Sequence, residues 1–272
     1  MPSNIEIASS FIEGAPPGEL ADVVTDIKAL TSDGAEIIPS LAPAFEKYNE
    51  AQLATVKLPG SSEEVIVSAY NKLEDGRYYD VESQTSFAFD HITQACPPRN
   101  SPNGGFCYLD KSLLRSLSTH AEEHYQSCSY GVYPTENDTA VAIVLVANKY
   151  SPNNFWNGRY RAIYTLPASL PATLTGKIHI NVHYYEDGNV SLNTTKPISI
   201  SIPAGSSADA VIKRIATAER GQQEQLSDAF TRLSEGAFKG LRRQLPVTRQ
   251  KVEWEKVGGY RLGQDISGGK GR

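Results

Sequence analysis

Methionine occurs once in 272 residues, tryptophan twice and cysteine three times. Cys96, Cys107 and Cys128 form an odd, sparse set. A disulfide framework is therefore excluded as the organising device, and reduced thiols in a cytosolic protein are expected. Their spacing fits no zinc knuckle. Long hydrophobic runs are missing too. The longest, Ala140 to Ala147, is far too short to span a bilayer. The opening residues, MPSNIEIASSFIEG, have no basic start and no apolar core, so no secretory leader is expected. The Asn-x-Ser/Thr triplets at Asn137, Asn189 and Asn193 then carry no weight as glycosylation sites. No Walker-type loop or Gly-x-Ser-x-Gly elbow is found. The terminal Gly268-Gly269-Lys270-Gly271 lacks the strand and helix that a phosphate cradle needs. There is no repeat of solenoid period and no long low-complexity tract.

What is present is ordinary globular composition, 40% hydrophobic and 21% charged, with room for a sizeable core. The length allows one large domain or two modest ones. The formal net charge is -5, but it is unevenly placed. From Lys239 onward nine basic residues face three acids, so the tail carries +6 and the rest of the chain -11. Lys239, Arg242, Arg243, Arg249, Lys251 and Lys256 crowd together there, with Trp254 among them. Such an asymmetry does nothing for a core. It reads as a surface presented to an acidic partner. Nucleic acid is not that partner, because no recognised module accompanies the tail and the body is acidic.

The periodicity of the chain predicts an α+β fold. Ile5, Ala8, Phe11 and Ile12 mark a first helix, and Gly14 to Gly18 turn the chain. A second helix carries Leu20, Val23, Val24, Ile27 and Leu30, and a third Leu41, Phe45 and Tyr48. Residues 1–50 are therefore expected to form a small bundle or stalk. Short β-type runs follow over 51–109, ending in the loop CPPRNSPNGG. A helix is expected from about Asp110 to Tyr125, then an antiparallel meander of about five strands over 128–203. Val141 to Val146 is almost wholly apolar, so that strand should be buried on both faces. Asp187-Gly188 suits a two-residue hairpin turn. The longest helix is expected from about Ser206 to Leu245, where Pro246 stops it. Helix, sheet and long helix (110–245) form one continuous domain with the preceding parts, and 246–272 is a basic tail.

Two histidine patterns invite a metal reading. His120-Ala121-Glu122-Glu123-His124 matches the H-x-x-E-H pattern, with both imidazoles as zinc ligands and Glu123 as general base. The same residues also suit the surface flank of an amphipathic helix. His179 and His183 share one face of a strand, which is more simply a polar or partner-facing side of a sheet.

Four longer stretches carry more information. FIEGAPPGEL at 11–20, NFWNGR at 154–159, VHYYEDGNV at 182–190 and LRRQLPVTR at 241–249 resemble, in order and spacing, the F-actin-capping protein alpha subunit family. That resemblance implies an obligate heterodimer with a beta subunit of similar fold. It implies a helical stalk, a joint antiparallel sheet under long helices, and mobile C-terminal tentacles. Its activity would be calcium-independent capping of the actin filament barbed end, without catalysis or cofactor. The family's basic actin-binding positions fall on Lys239, Arg243 and Arg249. Arg242 and Lys251 would flank them, and Trp254, Tyr260 and Leu262 would add an apolar contact. Phosphoinositides and capping-protein-interaction-motif regulators are implied partners, and cortical actin patches an implied location. The glycines at 258, 259, 268 and 269 depart from the family's more helical tails.

Overall fold

The computed structural model describes residues 3–31, 36–59, 64–97, 101–102, 111–125, 127–135, 139–186 and 189–233. The chain divides into two compact units, Met1–Glu219 and Arg220–Arg272. Of the second unit only 220–233, the last turns of one helix, are described.

Helix α1 (Asn4–Glu13) starts at a reciprocal cap: the Ser3 hydroxyl accepts from the Glu6 amide, and the Glu6 carboxylate accepts from the Ser3 amide at 2.7 Å. It stops at Gly14, and Pro16-Pro17 precede α2 (Leu20–Leu30). A short 3-10 turn, Ile38–Leu41, leads into α3 (Ala42–Gln52). Ile12, Leu20, Ile27, Leu41, Phe45 and Tyr48 bury one face of each helix in a shared cluster. The helices are thus held by their apolar stripes, since helices this short are marginal alone. Leu53, left-handed at φ 52°, ends α3 and turns the chain into the first strand.

Small sheets follow: β1 (Ala54–Lys57) with β2 (Glu64–Val67), and β3 (Tyr78–Asp80) with β4 (Thr85–Phe87) and β5 (Ser101–Pro102). The last is a two-residue strand inside the stretch read from sequence as loop. Helix α4 (Lys111–His124) then precedes the main sheet. Strands β6 (Cys128–Thr135), β7 (Ala140–Ser151), β8 (Trp156–Pro167), β9 (Ala172–Tyr184) and β10 (Val190–Ile202) pair antiparallel in simple meander order. The expected five strands are all there. β7 is buried from Ala142 through Val146, as its unbroken apolar run requires. The 187–188 turn lies outside the described residues.

Helix α5 (Ala208–Arg232) is capped by the Ser207 hydroxyl, which accepts from the Ala210 amide, and has Asp209 in its first turn. It lays Val211, Ile212 and Ile215 on the sheet face formed by Ile143, Leu145, Ala162, Tyr164, Leu174 and Ile178, beside α4. Each such buried aliphatic side chain contributes about 1.5–3 kcal/mol. The opposite face of β6 and β7, through Tyr133, Ala142, Val144 and Val146, packs on Leu53 and Ile66. The two faces then part company toward β10. One stays apolar, and the other turns polar across β8 and β9. How far the last helix runs beyond Leu233 lies outside the described residues.

Candidate functional site

The tail residues singled out from the sequence, Lys239, Arg242, Arg243, Arg249, Lys251, Trp254, Lys256, Tyr260 and Leu262, all lie outside the described residues. What is described is the platform that precedes them. Its last helix changes character at Glu219. The stripe Val211, Ile212, Ile215 and Glu219 is buried, whereas Phe230 and Leu233 stand 47% and 45% exposed.

Glu219 itself is buried at the centre of a polar network beneath α5. Its carboxylate accepts from the Tyr164 hydroxyl at 2.7 Å, the Tyr125 hydroxyl at 2.9 Å and His120 Nε2 at 2.9 Å. Burial, reinforced by the Glu219 charge, raises the Tyr125 and Tyr164 phenols far above their ordinary range. Both therefore remain proton donors at any physiological pH. Satisfied donors are what make a buried carboxylate tolerable. Tyr164 reaches it because Gly176 lies directly across the β8–β9 ladder. A Cβ at Gly176 would meet the Tyr164 ring and, at 2.5 Å, the Ile163 carbonyl oxygen.

This geometry corrects the metal reading. His120 is not on a surface flank but buried, with Nε2 committed to Glu219. His124 is exposed, its ring against that of His120 at 4.5 Å, and Nδ1 donates to the His120 carbonyl at 3.1 Å. Glu123 points to solvent. Among the described residues no group of three or more His, Cys, Asp or Glu side chains is placed to hold a metal. Glu186, just beyond the end of β9, accepts from the Tyr184 hydroxyl at 2.7 Å.

On the other face of the sheet His183 has a structural partner. Its Nδ1 donates to Glu19 at 2.8 Å, and Asn157 donates to the same carboxylate at 2.8 Å. The loop before α2 is thereby tied to β8 and β9. His179, four residues earlier, bonds instead to Thr195 of β10. Between these pairs sit two buried guanidinium groups. Arg159 donates to Asn148 Oδ1 at 2.8 Å and to the Tyr150 hydroxyl. Arg161 donates to the Ala51 carbonyl at the end of α3, and to Asn181 Oδ1 at 2.7 Å. Burial, with Arg159 alongside, pushes Arg161 down to about 10, which still leaves it charged at neutral pH.

Large apolar side chains are also left open. Ile5, Ile7 and Phe11 on α1 and Leu30 at the end of α2 are 41–80% exposed. A 710 Å³ groove on the helix side of the sheet is lined by Tyr125, Trp156, Tyr160, Ile180 and Val182. Among the described residues strand β10 pairs only with β9, which leaves the other edge of its 13 residues without a described partner. No described helix is long and apolar enough to cross a membrane.

Sequence reasoning missed Glu219 and the Glu19–His183 tie. The signal for Glu219 was present: it continues the stripe 211, 215, 219 at four-residue spacing, an acid where an apolar residue is expected. Nothing local marked Glu19 as a partner for a residue 164 positions away.

A family model described as "F-actin capping protein alpha subunit" matches residues 8–265. The chain is 70% identical over 274 residues to the F-actin-capping protein subunit alpha of Emericella nidulans, covering all of both chains. It is 69% identical to that of Aspergillus oryzae over the same length. It is 33% identical to that of Caenorhabditis elegans, with 96% of each covered. Among solved structures, the homodimeric actin capping protein alpha subunit from Plasmodium berghei shares the fold. The TM-score is 0.68 at 18% identity, over 87% of this chain and 94% of that one.

Proposed function

The chain belongs to the F-actin capping protein alpha subunit family, and from that premise we propose how it acts. It is one half of a heterodimer with a beta subunit of similar fold. The dimer binds the barbed end of an actin filament, without calcium and without catalysis, and blocks subunit gain and loss there. The observation that carries this reading is end-to-end similarity to relatives of that name, at up to 70% identity. The open surfaces support the need for a second chain. A long β10 edge unpaired among the described residues, the exposed Phe11 and Leu30, and the apolar groove are the features that a covering subunit removes from water.

Actin recognition falls to the basic end of the chain. Lys239, Arg243 and Arg249 meet carboxylates on the terminal actin protomers, with Arg242 and Lys251 flanking them. Flanking charge speeds encounter, and desolvated pairs slow release. Losing one buried pair costs about 2–5 kcal/mol. Residues 246–272 act as a tentacle, with Trp254, Tyr260 and Leu262 adding a weaker apolar contact. Phosphoinositide headgroups, being anionic, compete for the same cations. Regulators carrying a capping-protein-interaction motif bind the dimer, which works on the actin cytoskeleton, in cortical patches.

The test is co-expression with a beta subunit and a seeded actin-elongation assay. Wild-type dimer stops barbed-end growth. Changing Lys239, Arg243 and Arg249 together to Ala leaves the dimer folded and slows barbed-end association sharply. Full capping by a folded triple variant at physiological salt would overturn the site assignment.

A further inference from the structure

The five strands of the main sheet contain no aspartate and no glutamate, in a chain with 31 acids. Positive charge is not excluded in the same way. Arg159 and Arg161 lie on one face of β8, two residues apart, and Lys177 lies on β9. The ladder sets Arg159 opposite Asn181, Arg161 opposite His179 and Ile163 opposite Lys177. The face continues onto β10 through Ser191, Asn193 and Thr195, all exposed. It is a polar shelf beside the β10 edge that no described strand pairs.

Among the described residues neither arginine has a carboxylate within ion-pair distance, and neither does Lys177. Arg161 is only 8% exposed, and its Nε has no hydrogen-bond partner among the described residues. The carboxylate that does reach this face, Glu19, is occupied by His183 and Asn157. The surplus positive potential registers on the neighbouring ring. His179 is held below its usual value by burial, and then by Arg161 and Lys177. An uncompensated buried charge is expensive, and a carboxylate brought alongside relieves it.

We infer that the shelf of Lys177, His179 and Asn181, backed by Arg159 and Arg161, docks an acidic side chain of the partner subunit. This rests on the heterodimer reading above. A second copy of this chain is a poor occupant. A sheet-to-sheet contact between copies sets like patches against each other, and this sheet has no acid to offer. A different chain that brings a carboxylate to the shelf meets an exposed lysine at the rim and fixed positive potential behind it. Discrimination between hetero- and homodimer is then built into the sheet by leaving out one sign of charge.

Zero-length carbodiimide coupling of the co-expressed dimer, read by mass spectrometry, tests this. Lys177 is expected to couple to an aspartate or glutamate of the beta subunit, and Lys177→Met to lose that product. Lys177→Glu is expected to speed subunit exchange at least about tenfold at low salt, less at high salt. Lys177 is exposed, so both variants are expected to fold. Coupling to a second alpha chain overturns the inference. So does an intact heterodimer whose Lys177 stays uncoupled and whose exchange rate ignores Lys177→Glu. Failure of the wild-type subunits to associate sinks the heterodimer reading itself, and is distinguishable from both.

Discussion

Tyr164→Phe removes one oxygen from the interior and leaves the ring in place. Tyr164 is fully buried, and its hydroxyl donates to Glu219 at 2.7 Å. A hydrogen bond to an ionised acceptor contributes about 1.5–3 kcal/mol, roughly twice a neutral one. The carboxylate would keep Tyr125 and His120 as donors, so it is weakened and not stranded. The expected loss is therefore about 1.5–3 kcal/mol, not the larger cost of an unpaired buried charge. A double-mutant cycle isolates the charge. In a Glu219→Gln background the same phenol faces a neutral acceptor, worth about 0.5–1.5 kcal/mol. Tyr164→Phe should then cost about 1 kcal/mol less than it does in the parent. The measurement is equilibrium urea denaturation of the co-expressed dimer at fixed subunit concentration, since association feeds into apparent stability. Equal costs in the two backgrounds, or a cost below about 0.5 kcal/mol in the parent, would refute the claim that Glu219 is an ionised hub holding α4, β8 and α5 together.

Two further predictions use the same denaturation readout. Gly176→Ala places a Cβ 2.5 Å from the Ile163 carbonyl oxygen, a backbone atom that cannot swing aside. It should cost about 1–3 kcal/mol through overpacking, and Gly76→Ala is no control because that glycine has φ +79°. The second concerns pH. Burial holds His91 below its usual value, outweighing the Glu46 and Glu50 carboxylates that act the other way. As pH falls below about 6.5 the unfolded chain takes up this proton first. Its share of stability is intact above that pH and drains away as pH falls through the folded-state value. His91→Gln should therefore lose less stability than the parent between pH 7 and pH 5. An identical pH slope in the variant would show that His91 is not a source of the loss.

The elements were legible because their signals are local. Four-residue spacing wrote the helices, and the unbroken apolar run at Val141 to Val146 wrote a strand covered on both sides. The helix start expected near Ser206 is the Ser207-capped start of α5. The family was legible for the opposite reason. Four long motifs in register carry more information than any physical pattern, and they identified the capping protein alpha subunit family before any fold was drawn. The His120 pattern shows where local reading fails. From sequence it is two imidazoles and a carboxylate on one helix. In the fold His120 turns inward, toward an acid 99 positions downstream.

The sequence by itself determined the helices, the five-strand meander, the cationic end of the chain and its family, because periodicity, charge count and motif order need no third dimension. Tertiary structure alone decided that Glu219 is a buried hub, that Glu19 ties the loop before α2 to the sheet, and that Arg159 and Arg161 lie inside without a counter-charge among the described residues. The physical reason is the same for each. A polar group's role depends on what faces it after desolvation, and the facing groups here are brought together across tens to hundreds of residues by strand register and helix docking.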